Sequence, residues 1–347
     1  MRIARRIRAM VLALLVCVLV PVAAMAADSK LEDKVVVYST HGESMLELVA
    51  DAFEKQTGVR VEFINLKGEL ADRVRAEKAN PQSDVMYGAP SSVYQELKGE
   101  DLFVPFTPTW ADKINPLFKD SEGYWYGTIQ TPVLMFYNSD MMSKADAPQD
   151  WWDLADPKYK GKIVSRNALS SSARATYSAL LQQFEKKNQM DKGWKFLKAM
   201  DANVKRYYGS GSLQFQAVGR KEAPISFAVL NSIIDNKIKN KMPLEIIDAQ
   251  SGSPVITDAI AVIKGAKHLN AARAFVEFAG GAKAQAMLAN KFNRMPTLPE
   301  AIAASPKWMG EIKFRVMDVD WGALASKQSE WMQHWDMEVK DSGKDKK

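Results

Sequence analysis

The sequence predicts an α/β protein built from two lobes. Apolar stretches typical of buried strands alternate with amphipathic helical stretches, beginning with a strand at 34–38, a helix at 43–57 and a second strand at 59–64. Strand, helix and strand at this spacing indicate parallel βαβ units. Residues 27–347 are enough for two domains of ordinary size.

The N-terminus has the layout of a cleaved secretory signal. Four arginines precede an apolar run and a small-residue site, and the run is shorter than the roughly 20 residues that a spanning helix needs. These features are Arg2, Arg5, Arg6 and Arg8, the run 10–20, and Ala24-Met25-Ala26. We therefore predict a signal peptide at 1–26 and a periplasmic protein, with a retained anchor as the alternative.

Composition narrows the class further. Cys17 is the one cysteine and lies in the predicted signal, so residues 27–347 must be held together by apolar cores without disulfides. The four arginines of the signal lower the formal net charge of the remainder from +6 to +2. Because the other Lys and Arg residues are scattered, we expect no nucleic-acid partner, and we expect a monomer.

The pattern of strands and helices continues along the chain. Further strands are expected at 84–87, 131–137, 161–165, 225–229 and 257–263. Further helices are expected from Ser91-Ser92 onward and at 148–156, 170–187, 191–200, 213–220, 269–278 and 282–290.

Two crossings divide these elements into lobes. We expect hinge segments near 130–132 and 250–257, with lobe 1 formed by 27–131 plus 255–300 and lobe 2 by 132–254 plus 301–347. The last helices are expected to pack on the second lobe.

Four loops share one design, in which small or hydroxyl residues lead into a helix. They are Ser39-Thr40-His41-Gly42, Ala89-Pro90-Ser91-Ser92, Ser170-Ser171-Ser172-Ala173 and Gly209-Ser210-Gly211-Ser212. A helix start offers unpaired N–H groups and a partial positive charge, serine adds donors, and glycine lets the backbone approach a ligand. Any one loop could be a plain helix cap. Four of them facing one crevice would bind a phosphate, phosphonate or carboxylate.

Several longer segments resemble a known family. They are VVVYSTHGES at 35–44, LVADAFEKQTGVRVEF at 48–63, SDVMYGAP at 83–90, FYNSDMM at 136–142 and the Trp-Trp-Asp-Leu-Ala-Asp-Pro…Lys-Gly-Lys-Ile segment at 151–163. Together they are similar to the family 1 extracellular solute-binding proteins of ABC importers, in the subgroup that binds ferric iron, 2-aminoethylphosphonate or sugar phosphates. The resemblance covers nearly all of 27–347.

The resemblance implies a type II periplasmic-binding-protein fold with a ligand cleft between hinge-linked lobes, and an ABC importer permease as partner. In the family the oxyanion-holding loop corresponds to 170–173 and its partner loop to Gly211-Ser212. The predicted ligand-binding residues are Thr40, His41, Gly42, Ala89, Pro90, Ser170, Ser171, Ser172, Ala173, Gly211, Ser212, Asn231 and Asp258.

Ferric iron with a synergistic anion is the alternative ligand. Iron-binding members use a His or Glu after the first strand, where this chain has His41, and a Tyr-Tyr pair after a second-lobe strand. Tyr207-Tyr208 precedes the helix at 213–220, whereas the family pair follows the next strand, near Leu230-Asn231. The resemblance thus implies a small organic anion. Phosphonate members carry an Asp near the neutral Asn231, so a hydroxyl-bearing phosphate ester suits this chain at least as well as an amine.

An exported hydrolase is the competing class. The sequence contains no G-x-S-x-G nucleophile elbow, no H-E-x-x-H zinc motif and no Walker A motif. We therefore predict a binding protein without catalytic residues, metal ligands or cofactor.

Overall fold

The fold is described by a computed structural model that covers residues 30–66, 69–168 and 170–342. The predicted signal peptide at 1–26 lies outside these residues and stays a prediction. Within the described ranges, no helix is both long and apolar enough to cross a membrane.

Eleven strands are seen in the described residues, and the predicted apolar runs lie within or beside them. In chain order they are β1 Lys34–Ser39, β2 Arg60–Asn65, β3 Val85–Pro90, β4 Phe103–Val104, β5 Tyr126–Asn138, β6 Ile163–Arg166, β7 Val204–Tyr208, β8 Ile225–Val229, β9 Leu244–Ile247, β10 Val255–Ile263 and β11 Met295–Pro296.

The strands form two sheets that share β5. In the first, the order is β2-β1-β3-β10-β5, with β1 parallel to both β2 and β3 and β10 antiparallel to β3 and β5. In the second, the order is β5-β8-β6-β7, with β6 parallel to β7 and β8 and with β9 also pairing β5. Parallel strands joined through helices confirm the predicted α/β class.

β5 passes from one sheet to the other between Pro132 and Val133. Pro132 pairs with Val255 of β10, whereas Val133 pairs with Val229 of β8. The sequence predicted this strand only from 131 because its first half includes polar side chains. Thr128 and Gln130 are nevertheless buried, and Gln130 donates its amide to a backbone carbonyl.

Helices cover the faces of both sheets. In chain order they are α1 Glu43–Thr57, α2 Leu70–Ala76, α3 Ser91–Gly99, α4 Ser171–Glu185, α5 Met190–Asn203, α6 Gly211–Gly219, α7 Leu230–Ile238, α8 Leu269–Ala279, α9 Ala282–Phe292, α10 Pro299–Ala303, α11 Lys307–Glu311, α12 Trp321–Ala325 and α13 Gln328–His334. The helix predicted at 148–156 is a short 3-10 turn at Trp151–Ala155.

Separate apolar cores lie beneath the two sheets. Phe53 of α1 packs edge-on against Phe275 of α8 in the core of the first sheet. In the second, Tyr177 of α4 stacks on Trp335 at a centroid distance of 4.8 Å. Trp331 and Trp335 are only 8% and 1% exposed, as expected for core residues. Each half therefore has its own apolar core, without any disulfide.

The C-terminal segment departs from expectation. α13 contacts α4, in agreement with packing on the second lobe, but α12 lies against α3 beside the first sheet. A Cβ atom at Gly322 would stand 2.5 Å from the Gln95 side chain, so the two helices meet closely. α12 is only five residues long and is far from α3 in sequence. A helix this short has no apolar periodicity from which its packing partner could be predicted.

Close packing at Gly280 provides a test of the first core. A Cβ atom there would lie 2.0 Å from the indole of Trp110, which also donates to the Glu277 carbonyl. We expect Gly280→Ala to lower the free energy of unfolding by about 1–3 kcal/mol, because the indole must shift. Gly310→Ala, where a Cβ meets nothing within 4 Å, is the matched control and should be close to neutral. Equal unfolding midpoints for the two variants in urea would contradict this packing.

Candidate functional site

Five helices begin at the carboxyl ends of parallel strands. In the first sheet, α1 follows β1 and α3 follows β3; in the second, α4, α6 and α7 follow β6, β7 and β8. Because parallel strands point the same way, these starts gather at one edge of each sheet. Ligands of open α/β sheets bind at this edge, where helix N–H groups and dipoles favour anions.

Most of these starts lack a side-chain cap. At α1, α3, α4 and α7 the N-cap residue provides no side-chain acceptor to the N–H groups of the first turn. These N-cap residues are Gly42, Pro90, Ser170 and Val229. At α6, by contrast, Ser210 accepts from the Leu213 N–H. The Ser170 hydroxyl instead lies 3.1 Å from that of Ser172. The uncapped first turns can therefore donate to a ligand.

The loop after β1 is joined to the last residues of β3 by a hydrogen bond. The Ala89 N–H donates to the Thr40 hydroxyl at 2.8 Å, and Gly88 and Ala89 both have left-handed backbone, with φ of 89° and 72°. A Cβ atom at Gly88 would stand 2.9 Å from both Thr40 Oγ1 and His41 Nε2. Only glycine fits there, and the strained Ala89 aims the chain into α3.

His41 lies beneath this loop. His41 is only 5% exposed, and its ring packs edge-on against that of Tyr87 at a centroid distance of 4.7 Å. Burial lowers the pKa of His41 to about 4, with Asp258 opposing this shift and Arg294 adding to it. The imidazole is therefore neutral near pH 7.

Asp258 is held by an ion pair. Arg294 Nη2 donates to its carboxylate at 2.9 Å, and both side chains are partly buried. The Asp258 carboxylate is therefore already neutralised by a side chain of the same protein. Asp258 also pairs with Pro90 across β10 and β3, so it lies beside the predicted site.

A cavity of about 380 Å³ lies between the starts of α3 and α4. It brings together two predicted residues, Pro90 and Ser171, from the two sheets. Its polar lining includes Arg174, whose Nε donates to the Ala168 carbonyl at 3.3 Å, and its apolar lining includes Ile256 and Trp321. The complete lining is Pro90, Ser91, Ser92, Ser171, Arg174, Ala175, Ile256, Trp321 and Gln328.

Other predicted residues lie outside this cavity. Asn231 lines a separate, narrow recess together with Arg294 and residues 130–132 of β5. Gly211 approaches Arg166, whose guanidinium donates to the Gly209 carbonyl. Gly211 and Ser212 line neither the cavity nor the recess.

The remaining predicted residues are best considered through their backbone. Ser170, Ala173 and Ala89 are buried, which leaves their side chains little access to a ligand. Gly42, in contrast, is exposed at the start of α1. The ligand-binding prediction for these positions stays a prediction.

Sequence reasoning missed five residues of the cavity, which are Arg174, Ala175, Ile256, Trp321 and Gln328. Arg174 lies one turn into α4, directly after the serine loop, and its charge next to that loop was a usable signal. Ile256 and Trp321 carried no such signal, since each is more than 80 residues from Ser171 in the printed sequence. Only the fold brings them to the cavity.

The tyrosine pair is engaged elsewhere. Tyr207 donates to Asp201 at 2.7 Å and Tyr208 donates to Glu222 at 2.6 Å. Burial is the main cause that raises the pKa of both hydroxyls, so they are protonated phenols near pH 7. β8 is followed by Leu230 and Asn231, as the sequence register predicted. The described residues contain no cluster of three or more His, Cys, Asp or Glu side chains suited to a metal.

Comparison with known proteins identifies relatives. The family profile described as bacterial extracellular solute-binding protein matches residues 80–321. A probable ABC transporter periplasmic-binding protein of Sinorhizobium fredii is 32% identical over 326 residues, covering 91% of this chain and 89% of the relative.

Solved structures share the fold. The ferric iron-binding protein A of Mannheimia haemolytica, in an open conformation, superposes with a TM-score of 0.75 at 24% identity, covering 90% of this chain and 99% of that one. A periplasmic binding protein of Actinobacillus pleuropneumoniae with fructose-6-phosphate bound has a TM-score of 0.64 at 25% identity, covering 88% and 98%. The predicted two-lobed fold is confirmed by these neighbours.

Burial of His41 should make stability depend on pH. The unfolded chain takes up the proton near pH 6.5 but the folded chain only near pH 4, so acid favours unfolding. Between pH 7 and pH 4, this residue should lower the free energy of unfolding by about 3 kcal/mol. Urea titrations of wild type and His41→Asn across this range measure the effect. Parallel curves for the two proteins would contradict it.

Proposed function

Since this chain belongs to the family of bacterial extracellular solute-binding proteins, we propose that it captures a small organic anion, a phosphate ester or a phosphonate, between its two lobes. It is the solute-binding component of an ABC importer. The observation that carries the choice of ligand is the cavity between the starts of α3 and α4, which holds Arg174 and three serines and has no carboxylate in its lining.

An anion suits this cavity for electrostatic reasons. Two helix starts contribute partial positive charge, each worth about 0.3–1 kcal/mol to a nearby anion. The Ser91, Ser92 and Ser171 hydroxyls can donate to oxyanion oxygens, and Arg174 adds a full positive charge. A tetrahedral phosphoryl or phosphonyl group has enough acceptor oxygens to use donors from both sides of the cleft.

Capture would couple to lobe closure. β5 crosses between the sheets at Pro132 and Val133, beside Val255 where β10 begins, and a strand crossing of this kind can bend as a hinge. We assign lobe 1 to 27–131 plus 255–300 and lobe 2 to 132–254 plus 301–347. Closing the lobes would bury the anion, and the closed surface would be what the permease recognises.

The remaining properties follow from this role. We propose that the protein acts in the periplasm as a monomer, binds no nucleic acid and releases its ligand chemically unchanged. The relatives are solute-binding proteins, and no sequence motif of a hydrolase accompanies the serines. Saturable hydrolysis of phosphate esters would overturn the last point.

Ferric iron is disfavoured as the ligand. A trivalent cation needs deprotonated oxygen ligands, whereas the Tyr207 and Tyr208 hydroxyls donate to carboxylates of their own lobe. The position at the start of α7 holds Leu230 and Asn231, and a leucine side chain cannot coordinate a metal.

Filling the cavity should abolish binding. Ser171→Trp puts an indole at the exposed start of α4, and we expect it to lower the affinity for phosphate esters by at least about 100-fold with an unchanged melting temperature. Ala202→Trp, on the exposed side of α5, is the control. Calorimetry with ligands identified by mass spectrometry of the native protein measures both. Unchanged affinity in Ser171→Trp would refute this site.

A ferric titration tests the alternative. We expect ferric citrate to produce no visible tyrosinate-to-iron absorption band, because both phenols are protonated and hydrogen-bonded. Tyr208→Phe should leave anion affinity unchanged. A visible band that disappears in Tyr207→Phe or Tyr208→Phe would restore the iron hypothesis.

A further inference from the structure

Trp321 enters the cavity from a distant part of the chain. It is the first residue of α12 and lines the cavity together with Ser171 and Arg174. Its indole N–H donates to the Val255 carbonyl at 2.9 Å, at the point where β10 meets the crossing between the sheets. This hydrogen bond fixes the ring plane beside the cavity.

The backbone around Trp321 is anchored to both sides of the cleft. The side-chain amide of Gln182, on α4, donates to the Asp320 carbonyl and accepts from the Asp320 N–H, both at 2.8 Å. Gly322 lies against Gln95 of α3, with no room for a side chain. The indole is therefore positioned before any ligand arrives, which is the condition for a residue that selects among ligands.

The cavity is larger than an oxyanion requires. Its volume of about 380 Å³ falls within the roughly 300–1,000 Å³ of small-molecule sites. Beyond the serines of the helix starts and Arg174, the lining consists of Trp321, Ile256, Pro90, Ala175 and Gln328. These surfaces would accept carbon and hydroxyl groups.

The same lining disfavours a cationic group. Asp and Glu are absent from it, and the one ionised side chain it contains is the Arg174 guanidinium. The nearby carboxylate of Asp258 is already paired with Arg294. An ammonium group in this cavity would have no counter-ion and would face a positive charge.

We propose that Trp321 is a specificity-determining residue, whose indole packs against an uncharged, hydroxyl-bearing organic group of the ligand while the serines and Arg174 hold its phosphoryl end. The inference rests on the proposed function and narrows it. The ligand class is a phosphate monoester of a polyol or sugar, and a ligand with an amino group is disfavoured.

Calorimetry on the purified protein tests the proposal with four probes: glucose 6-phosphate, inorganic phosphate, 2-aminoethylphosphonate and propylphosphonate, in which a neutral methyl group replaces the ammonium group. We expect Trp321→Ala to weaken glucose 6-phosphate binding about tenfold or more, because an aromatic wall is lost, and to change phosphate binding little. Trp321→Phe should lie between, since it keeps a ring but loses the hydrogen bond to Val255.

Trp194→Ala is the matched control. Trp194 is also half-buried and packs on the same core, but its ring contacts that of His334 at a centroid distance of 4.2 Å and does not line the cavity. We expect Trp194→Ala to bind each of the four probes with the affinity of wild type. Melting temperatures show whether each variant folds.

The outcomes separate the inference from the proposed function. Failure of wild type to bind any of the four probes would overturn the proposed function itself. If wild type binds, but Trp321→Ala loses the same affinity for glucose 6-phosphate as for inorganic phosphate, only the role of Trp321 would be overturned. The same holds if Trp321→Ala loses no affinity for either probe. Tighter binding of 2-aminoethylphosphonate than of propylphosphonate would overturn the exclusion of amines.

Discussion

One continuous strand, β5, connects the two halves of this protein. β5 pairs with β10 up to Pro132 and with β8 from Val133, so its hydrogen bonds belong to two sheets. Each sheet has an apolar core of its own, and the described residues contain no disulfide that could replace this connection. The edge at which the ligand would bind depends on this strand, because a change in its direction would move the helix starts of one sheet relative to those of the other.

Local strain and burial support the same edge. Gly88 and Ala89 adopt left-handed backbone where β3 turns into α3, and the Thr40 hydroxyl secures this turn by accepting from Ala89. The neutral His41 fills the space beneath it, next to the ion pair of Asp258 and Arg294. These groups act as a support for the loop. The ligand contacts themselves can then come from backbone N–H groups, serine hydroxyls and Arg174, which need no buried and uncompensated charge.

Much of the fold could be predicted from residues alone. The run at 34–38 and the helix at 43–57 correspond to β1 and α1, and the strand at 225–229 coincides with β8. Elements with weak periodicity were missed: β7 has two adjacent basic residues followed by two adjacent tyrosines, without the alternation of a half-buried strand, and α7 follows β8 with no capping signal. The start of β5 was missed because its buried polar side chains, Thr128 and Gln130, resemble those of a loop until their partners are known.

The sequence by itself determined the α/β class, the family resemblance and the serine loops, because these depend on patterns between near neighbours in the chain. The tertiary structure alone decided that His41 is buried, that Asp258 is paired with Arg294, and that Pro90 and Ser171 face one cavity. It alone brought Trp321 to that cavity. The physical reason is that burial, ion pairing and cavity shape arise from contacts between segments far apart in sequence. Periodicity and residue spacing report only on near neighbours in the chain, so they do not predict such contacts.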